Sequence, residues 1–142
     1  MIENAVLLDS SVAVYAFGGE SELRPASQRV LSLAAEHRGF RAYASVEMIQ
    51  EFVHHRLRRT GDRALAAEDG RNVAALCTVL TFDREVLDLS LDLVARIPTV
   101  RGRDAVHAAT ALAYGIERIV TTDRAFDGIP GLIRVDPREF AA

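Results

Sequence analysis

The sequence predicts one α/β domain over residues 1–142, with a mainly parallel central sheet flanked by helices. Short apolar runs that suit buried strands alternate along the chain with longer segments of helical period. The apolar and charged fractions, 49% and 26%, are those of ordinary globular proteins. A length of 142 residues suits a single core. We therefore expect strands joined through right-handed crossovers around one packed sheet.

The predicted strands are short apolar runs. The run at 5–9 ends in Asp9 and suits a buried central strand. Four further strands are expected at 41–45, 79–82, 118–123 and 131–135, the last of them weaker. Ligands of parallel α/β sheets bind at the carboxyl ends of the strands. Asp9 and Asp123, the last residues of two predicted strands, would lie there.

The predicted helices fill the segments between the strands. Ser10 or Ser11 can cap the first helix, and Asp83 can cap one that ends before Pro98. An alanine-rich helix begins near Gly102. Helical spacing of apolar residues marks three more segments, 22–37, 45–59 and 62–77. The apolar residues of the first of these can belong to the core or to a groove for a partner.

The composition excludes several mechanisms. All 17 basic residues are arginine, so Schiff-base catalysis and a phosphate-loop lysine are excluded. A net charge of −3 argues against a general nucleic-acid coat. An acid near the amino terminus and the lack of any apolar run near ~18 residues predict a cytoplasmic protein without a membrane partner. The single cysteine, Cys77, is expected to pack in the core.

Four acidic residues are candidate cation ligands: Asp9, Glu51, Asp104 and Asp123. Each alone has an ordinary explanation as a cap, a turn residue or a solvated side chain. Together they are expected to converge at one edge of the sheet, where a like-charge pair at 4 Å costs roughly 1 kcal/mol in water and about 4 at a dielectric constant near 20. Protons or cations must offset this repulsion. Oxygen ligands without His or Cys favour Mg²⁺ or Mn²⁺, which support phosphodiester hydrolysis.

Four segments carry these acids in a familiar order: VLLDSSVAVYAF, SVEMIQEFVHHR, RGRDAVHAATALAYG and IVTTDRAFDGIPGL. In this order and spacing they resemble the PIN-domain family, and most closely the VapC-type toxins of bacterial toxin–antitoxin modules, over almost the whole chain. In the second segment, the spacing from Ser45 and the following Phe52 assigns the acid to Glu51 rather than to Glu47. The third segment matches the most specific motif of the family, D-A-x-H-A-A-x-A.

The resemblance implies a PIN-like fold and an endoribonuclease that uses Mg²⁺ or Mn²⁺ held by the four acids. It also implies an RNA substrate, with tRNA and rRNA as candidates, a small antitoxin that covers the acidic site, and a homodimer. Ser11, Thr121 and Thr122 are implied as supporting residues. A common family pattern has an acid at the position of Ala125, and Asp127 is the residue that would assist instead.

Two further features have more than one interpretation. The arginines of FVHHRLRR, namely Arg56, Arg58 and Arg59, can contact RNA phosphates or simply complement a helix end. His107 lies one helical turn from Asp104, and its alanine-rich surroundings favour a packed, hydrogen-bonded histidine over a general base.

Two other functions are alternatives to the nuclease. One is a non-catalytic RNA-binding or regulatory PIN-like module with residual acids. The other is a phosphoacceptor-aspartate protein built on Asp9, which the absence of lysine and the presence of Ser11 in place of a second aspartate disfavour.

Overall fold

The computed structural model describes residues 4–141 and contains a five-stranded sheet. The strands are β1 (Ala5–Leu8), β2 (Arg41–Ser45), β3 (Thr78–Leu80), β4 (Arg118–Val120) and β5 (Ile133–Val135). Every pairing is parallel, and the order across the sheet is β3-β2-β1-β4-β5. β2 and β3 are added on one side of β1, and β4 and β5 on its other side. The direction of strand addition therefore reverses between β1 and β4, which makes this position the switch point of the sheet. The predicted fold class is confirmed.

Seven α-helices accompany the strands within residues 4–141. They are α1 (Ser10–Phe17), α2 (Arg24–Ala35), α3 (Val46–Thr60), α4 (Arg63–Leu76), α5 (Arg84–Arg96), α6 (Gly102–Ala113) and α7 (Pro137–Phe140). A 3₁₀ turn covers Arg124–Phe126. None of the helices described is long and apolar enough to span a lipid bilayer.

The sheet separates two apolar clusters. Leu7 packs on one face with residues of α5 and α6, whereas its neighbours Val6 and Leu8 pack on the other face with α1 to α4. Side chains of a strand alternate between the faces, so a continuous apolar run such as AVLL is buried on both sides. Burial on both sides fixes β1 in the middle of the molecule. Asp9, which follows β1, is therefore fixed at the carboxyl edge of the sheet.

The local signals place most elements correctly. Ser45 caps α3 and Asp83 caps α5 through side-chain bonds to backbone amides. Val30, Leu31 and Ala34 of α2 are buried, so the apolar face of this helix belongs largely to the core. Cys77 follows α4 and packs against the same core, and burial raises the pKa of its thiol to about 12.

Several predicted boundaries are wrong. The first helix begins after Asp9, so neither Ser10 nor Ser11 is its cap residue. The third strand lies at 78–80 rather than 79–82, and β4 ends at Val120 rather than at Asp123. β4 ends early because the Thr121 hydroxyl accepts a bond from the Asp123 amide and so turns the chain. The 3₁₀ turn and α7 were not predicted.

Candidate active site

A cleft of about 610 Å³ opens at the carboxyl edge of the sheet beside the switch point. The four predicted acids all line it. Asp9 follows β1, Glu51 projects from α3, Asp104 lies in the first turn of α6, and Asp123 lies just beyond β4. Elements far apart in the chain therefore bring four carboxylates to one cavity.

Asp9 is held by residues that follow β4. The residue is only 6% exposed, and its Oδ2 accepts a hydrogen bond of 2.7 Å from the hydroxyl of buried Thr121. The Ser11 hydroxyl lies 3.4 Å from that of Thr121 and accepts a bond of 3.5 Å from the amide of Thr122. The Asp9 carboxylate makes no helix-capping bond, so capping does not account for an aspartate at this position.

Asp123 has two roles in the geometry. Its Oδ1 accepts a bond of 2.9 Å from the amide of Ala125 and so caps the 3₁₀ turn. The residue is nevertheless exposed to solvent along the cleft, where Thr122 also lies. The turn explanation and the site explanation are therefore compatible, because one capping bond fixes a carboxylate that still borders the cavity.

Glu51 is fixed by a buried hydrogen-bond chain that sequence analysis did not predict. The Ser45 hydroxyl accepts from the amide of Met48 at 3.0 Å and lies 2.8 Å from Nδ1 of His107. The Nε2 atom of His107, a residue only 1% exposed, lies 2.5 Å from Oε1 of Glu51 and 3.9 Å from Oδ1 of Asp9. The histidine thus links the cap of α3 to the acid on its second turn.

The protonation of His107 does not change its bond to Glu51. Burial lowers the pKa of the ring, but the bond to Glu51 and the negative charges of Asp9, Glu51 and Asp104 together outweigh burial and raise it. In the neutral ring, Nδ1 accepts from the Ser45 hydroxyl, which leaves the hydrogen on Nε2. In the charged ring, Nε2 also carries a hydrogen. His107 therefore donates to Glu51 in both states, as the predicted packed and hydrogen-bonded histidine would.

The pKa of Asp104 reflects both its burial and the negative charges in the cleft. Its pKa is raised to about 6, first by burial and then by the negative charges of Asp123 and Asp9, with a smaller contribution from Glu51. His107 acts in the opposite direction. Positive charge supplied to this cavity would therefore be stabilised by several carboxylates at once.

The donor set fits a hard divalent cation. Within residues 4–141, no three His, Cys, Asp or Glu side chains are already arranged as a metal cage. Mg²⁺ usually keeps several water ligands and is bound through one or two carboxylates, so a complete protein cage is not needed. Carboxylate oxygens that border one cleft and raise the pKa of a neighbour match this mode of binding.

Other predicted residues lie elsewhere. Arg56 donates to Asp69 at 3.0 Å and to the carbonyl of Phe17 at 3.0 Å, so its guanidinium is engaged in the fold. Arg58 is exposed but lines none of the clefts described, whereas Arg59 lines the acidic cleft. This difference follows from helix geometry, because Arg59 lies two turns beyond Glu51 on the same face.

The supporting role expected of Asp127 is not favoured by its position. Its Oδ1 accepts a bond of 2.7 Å from Arg134, and the residue is outside the cleft lining. Sequence reasoning also missed Tyr15 and His55, which do line the cleft. The spacing of His55, four residues after Glu51, was the available signal.

Fold and site together define an α/β domain whose carboxylate-lined cleft lies at the switch point of a parallel sheet. A family model of the PIN domain matches residues 6–132. The chain belongs to the PIN-domain family.

Comparison with individual proteins gives the same family. The chain is 35% identical to ribonuclease VapC7 of Mycobacterium tuberculosis over 93% of this chain and 91% of the relative. It is 28% identical to ribonuclease VapC13 of the same organism over 92% of this chain and 98% of the relative.

Solved structures share the fold at low identity. DNA-bound VapBC from Salmonella typhimurium matches with a TM-score of 0.73 and 17% identity, over 94% of this chain and 98% of the other. The sarcin–ricin-loop-cleaving toxin VapC20 of Mycobacterium tuberculosis matches with a TM-score of 0.70 and 18% identity, over 93% and 99%. The resemblance expected from the sequence motifs is therefore confirmed at the level of family and fold.

Proposed function

We propose that this protein is an endoribonuclease that depends on Mg²⁺ or Mn²⁺ and acts as the toxin of a toxin–antitoxin pair. The observation that carries the proposal is the convergence of four carboxylates in one cleft, where burial and the charges of the other three raise the pKa of Asp104. Membership of the PIN-domain family and similarity to proteins named ribonucleases support it.

In this proposal Asp9, Glu51, Asp104 and Asp123 hold the cation directly or through water. The bound ion supplies a water of lowered pKa and positive charge beside the scissile phosphate. The chain supplies the positions of the ligands, since Thr121 holds Asp9 and His107 holds Glu51. No covalent intermediate with the protein is required.

The arginine that we assign to RNA is Arg59, because it lines the acidic cleft. Its charge can compensate a phosphate that approaches the carboxylates. Arg56 is already paired with Asp69. Arg58 is exposed and lines neither the acidic cleft nor the other clefts of the described residues, so we assign no RNA contact to it.

The proposal extends to partners. Several solved relatives of the same fold are toxin–antitoxin complexes, among them one from Klebsiella pneumoniae, and we propose that a small antitoxin covers the acidic cleft of this chain. We also propose that the protein forms a homodimer, that it is cytoplasmic, and that its substrate is tRNA or rRNA. The RNA itself is identified by sequencing the ends produced when the wild-type and Asp9→Asn chains are expressed.

Cleavage of RNA by the purified chain is expected to require Mg²⁺ or Mn²⁺ and to stop when a chelator removes the ion, because the carboxylates alone repel the substrate. The measurement is the appearance of product ends on a gel with and without chelator, followed by restoration with excess Mn²⁺. If the chain is a metal-dependent nuclease, cleavage returns when excess Mn²⁺ is added.

RNA binding that is unaffected by the chelator, with no cleavage under any of these conditions, would instead indicate the non-catalytic module. Asp9→Asn protein purified in parallel controls for a contaminating nuclease, because contamination would cleave RNA equally in both preparations.

A further inference from the structure

Glu51 borders two clefts. Besides the acidic cleft, a second one of about 550 Å³ lies between α3 and α6. Its lining consists of Glu47, Gln50, Glu51 and His54 on α3 and of Gly102, Arg103 and Val106 on α6, so two carboxylates and one guanidinium border it. Both volumes fall in the range of roughly 300–1,000 Å³ that accommodates drug-sized ligands, so each cleft is large enough for a nucleotide.

Helix geometry explains why Glu51 is shared. His55 and Arg59 follow Glu51 at intervals of four residues and line the acidic cleft. His54 lies three residues after Glu51 and lines the second cleft. Glu51 therefore stands on a ridge of α3, with one histidine on each side of it.

Each cleft also has an arginine on its lining, Arg59 in the acidic cleft and Arg103 in the second. Both side chains are exposed. The ion pairs formed within residues 4–141 involve neither of them. Two guanidinium groups without ion-pair partners thus line the two clefts that meet at Glu51, where they can bind phosphates.

His55 adds a polar group suited to a nucleotide. Burial, followed by the charges of Arg59, Arg58 and Arg56, lowers the pKa of its ring, and its Nδ1 is buried without a hydrogen-bond partner among the described residues. A neutral imidazole offers one donor and one acceptor. Because Nδ1 is buried, Nε2 is the ring nitrogen left to contact a base edge or a 2′-hydroxyl.

We propose that a single RNA strand crosses α3 at Glu51, with the scissile phosphate at this ridge and the flanking nucleotides in the two clefts. Arg59 and His55 contact the strand on one side, and Arg103 with Gln50 and His54 contact it on the other. This path deepens the proposed nuclease function and rests on it. A strand is favoured over a peptide because cationic groups on both sides of a carboxylate centre match phosphates that flank a cation-bound phosphate.

The test uses RNA oligonucleotides whose cleavage point is known, extended by about two nucleotides on the 5′ or the 3′ side. In the wild type, each extension is expected to raise kcat/KM. Arg59→Gln should remove the gain from one extension, and Arg103→Gln the gain from the other, each by about tenfold as for a hydrogen bond to a charged group. Arg58→Gln and Arg101→Gln are matched controls that change neighbouring arginines outside both clefts and should retain both gains.

The path is overturned if Arg59→Gln and Arg103→Gln both lose the gain from the same extension, or if both variants keep the gains from both extensions. The nuclease assignment stands in either case. Variants that change inhibition by the antitoxin but not the dependence on RNA length assign the second cleft to the protein partner and also overturn it.

If the wild type cleaves no RNA, the proposed function fails, and the path is then tested by fluorescence anisotropy at several salt concentrations. Arg59→Gln and Arg103→Gln should each reduce the slope of log affinity against log salt by about 1, and the two controls should not. Equal slopes for all four variants overturn the path.

Discussion

Replacing Asp104 by Asn is expected to reduce RNA cleavage by at least about 10²-fold, since even outer partners of a metal site cost about 10–100-fold when removed. The fold should remain intact. The amide keeps the volume of the carboxyl group but carries no negative charge, so both the burial of a charge and the repulsion from Asp123 and Asp9, which raise the pKa of Asp104, are relieved. We expect the free energy of unfolding to be unchanged or slightly higher in the variant.

The pH dependence of stability distinguishes this explanation from damage to the fold. The pKa of Asp104 is raised from 3.8, the ordinary value of an aspartate, to about 6 in the folded protein. Between these values the folded chain retains a proton that the unfolded chain loses, so the wild type loses stability as the pH rises through this window. Asp104→Asn should lack this loss, and urea unfolding at a series of pH values measures it.

Asp127→Asn is the matched control for Asp104→Asn, because Asp127 lies outside the cleft and pairs with Arg134. It should retain cleavage. Retained cleavage by Asp104→Asn at saturating Mn²⁺ would contradict the assignment of Asp104 as a ligand.

Replacing His107 by Ala is expected to lower the free energy of unfolding by about 2–4 kcal/mol, through a cavity and the loss of hydrogen bonds to buried groups. The ring is fully buried and contacts Ser45 and Glu51. Cleavage should also fall, because Glu51 loses the donor that fixes its carboxylate. Urea unfolding and cleavage assays measure the two effects separately.

Two conservative variants separate packing from positioning at this residue. The amide nitrogen of His107→Gln can reach the place of Nε2 and donate to Glu51, whereas the shorter side chain of His107→Asn reaches only the place of Nδ1 near Ser45. If His107 positions Glu51, the Gln variant retains more cleavage than the Asn variant at similar stability. Equal cleavage in both variants would reduce His107 to a packing residue.

The charge on His107 adds a second pH window. Because its pKa in the folded chain is raised above 6.5, its stabilising contribution is fully present below pH 6.5 and is lost as the pH rises through the raised value. This loss should be absent from His107→Gln and retained in Asp104→Asn. Because each substitution removes the loss of stability in only one pH window, one titration is assigned to Asp104 and the other to His107.

Local patterns predict most of the elements. The apolar run before Asp9 and the cap at Asp83 are short-range signals, and the structure contains both. Parallel topology then places the end of β1 beside the end of β4. The sequence predicted acids at the ends of two strands, and the pairing of β1 with β4 in the structure is what places Asp9 and Asp123 side by side.

What the sequence could not show depends on contacts between distant residues. The bond from His107 to Glu51 joins residues on two helices, and no local spacing reports it. In the sequence, Arg56 is as good a candidate for RNA contact as Arg58 and Arg59, but in the structure it pairs with Asp69 of α4. Asp127 likewise acquired a partner in β5. Tertiary pairing therefore separated residues that looked equivalent in the chain.

The capture of a cation by the acidic cleft is tested most directly by titrating Mn²⁺ into the purified chain and following the free ion by electron paramagnetic resonance. We predict saturable binding by the wild type and by Asp127→Asn, with at least about tenfold weaker binding by Asp9→Asn. Equal Mn²⁺ affinity in the wild type and Asp9→Asn would contradict a metal centre built on these carboxylates.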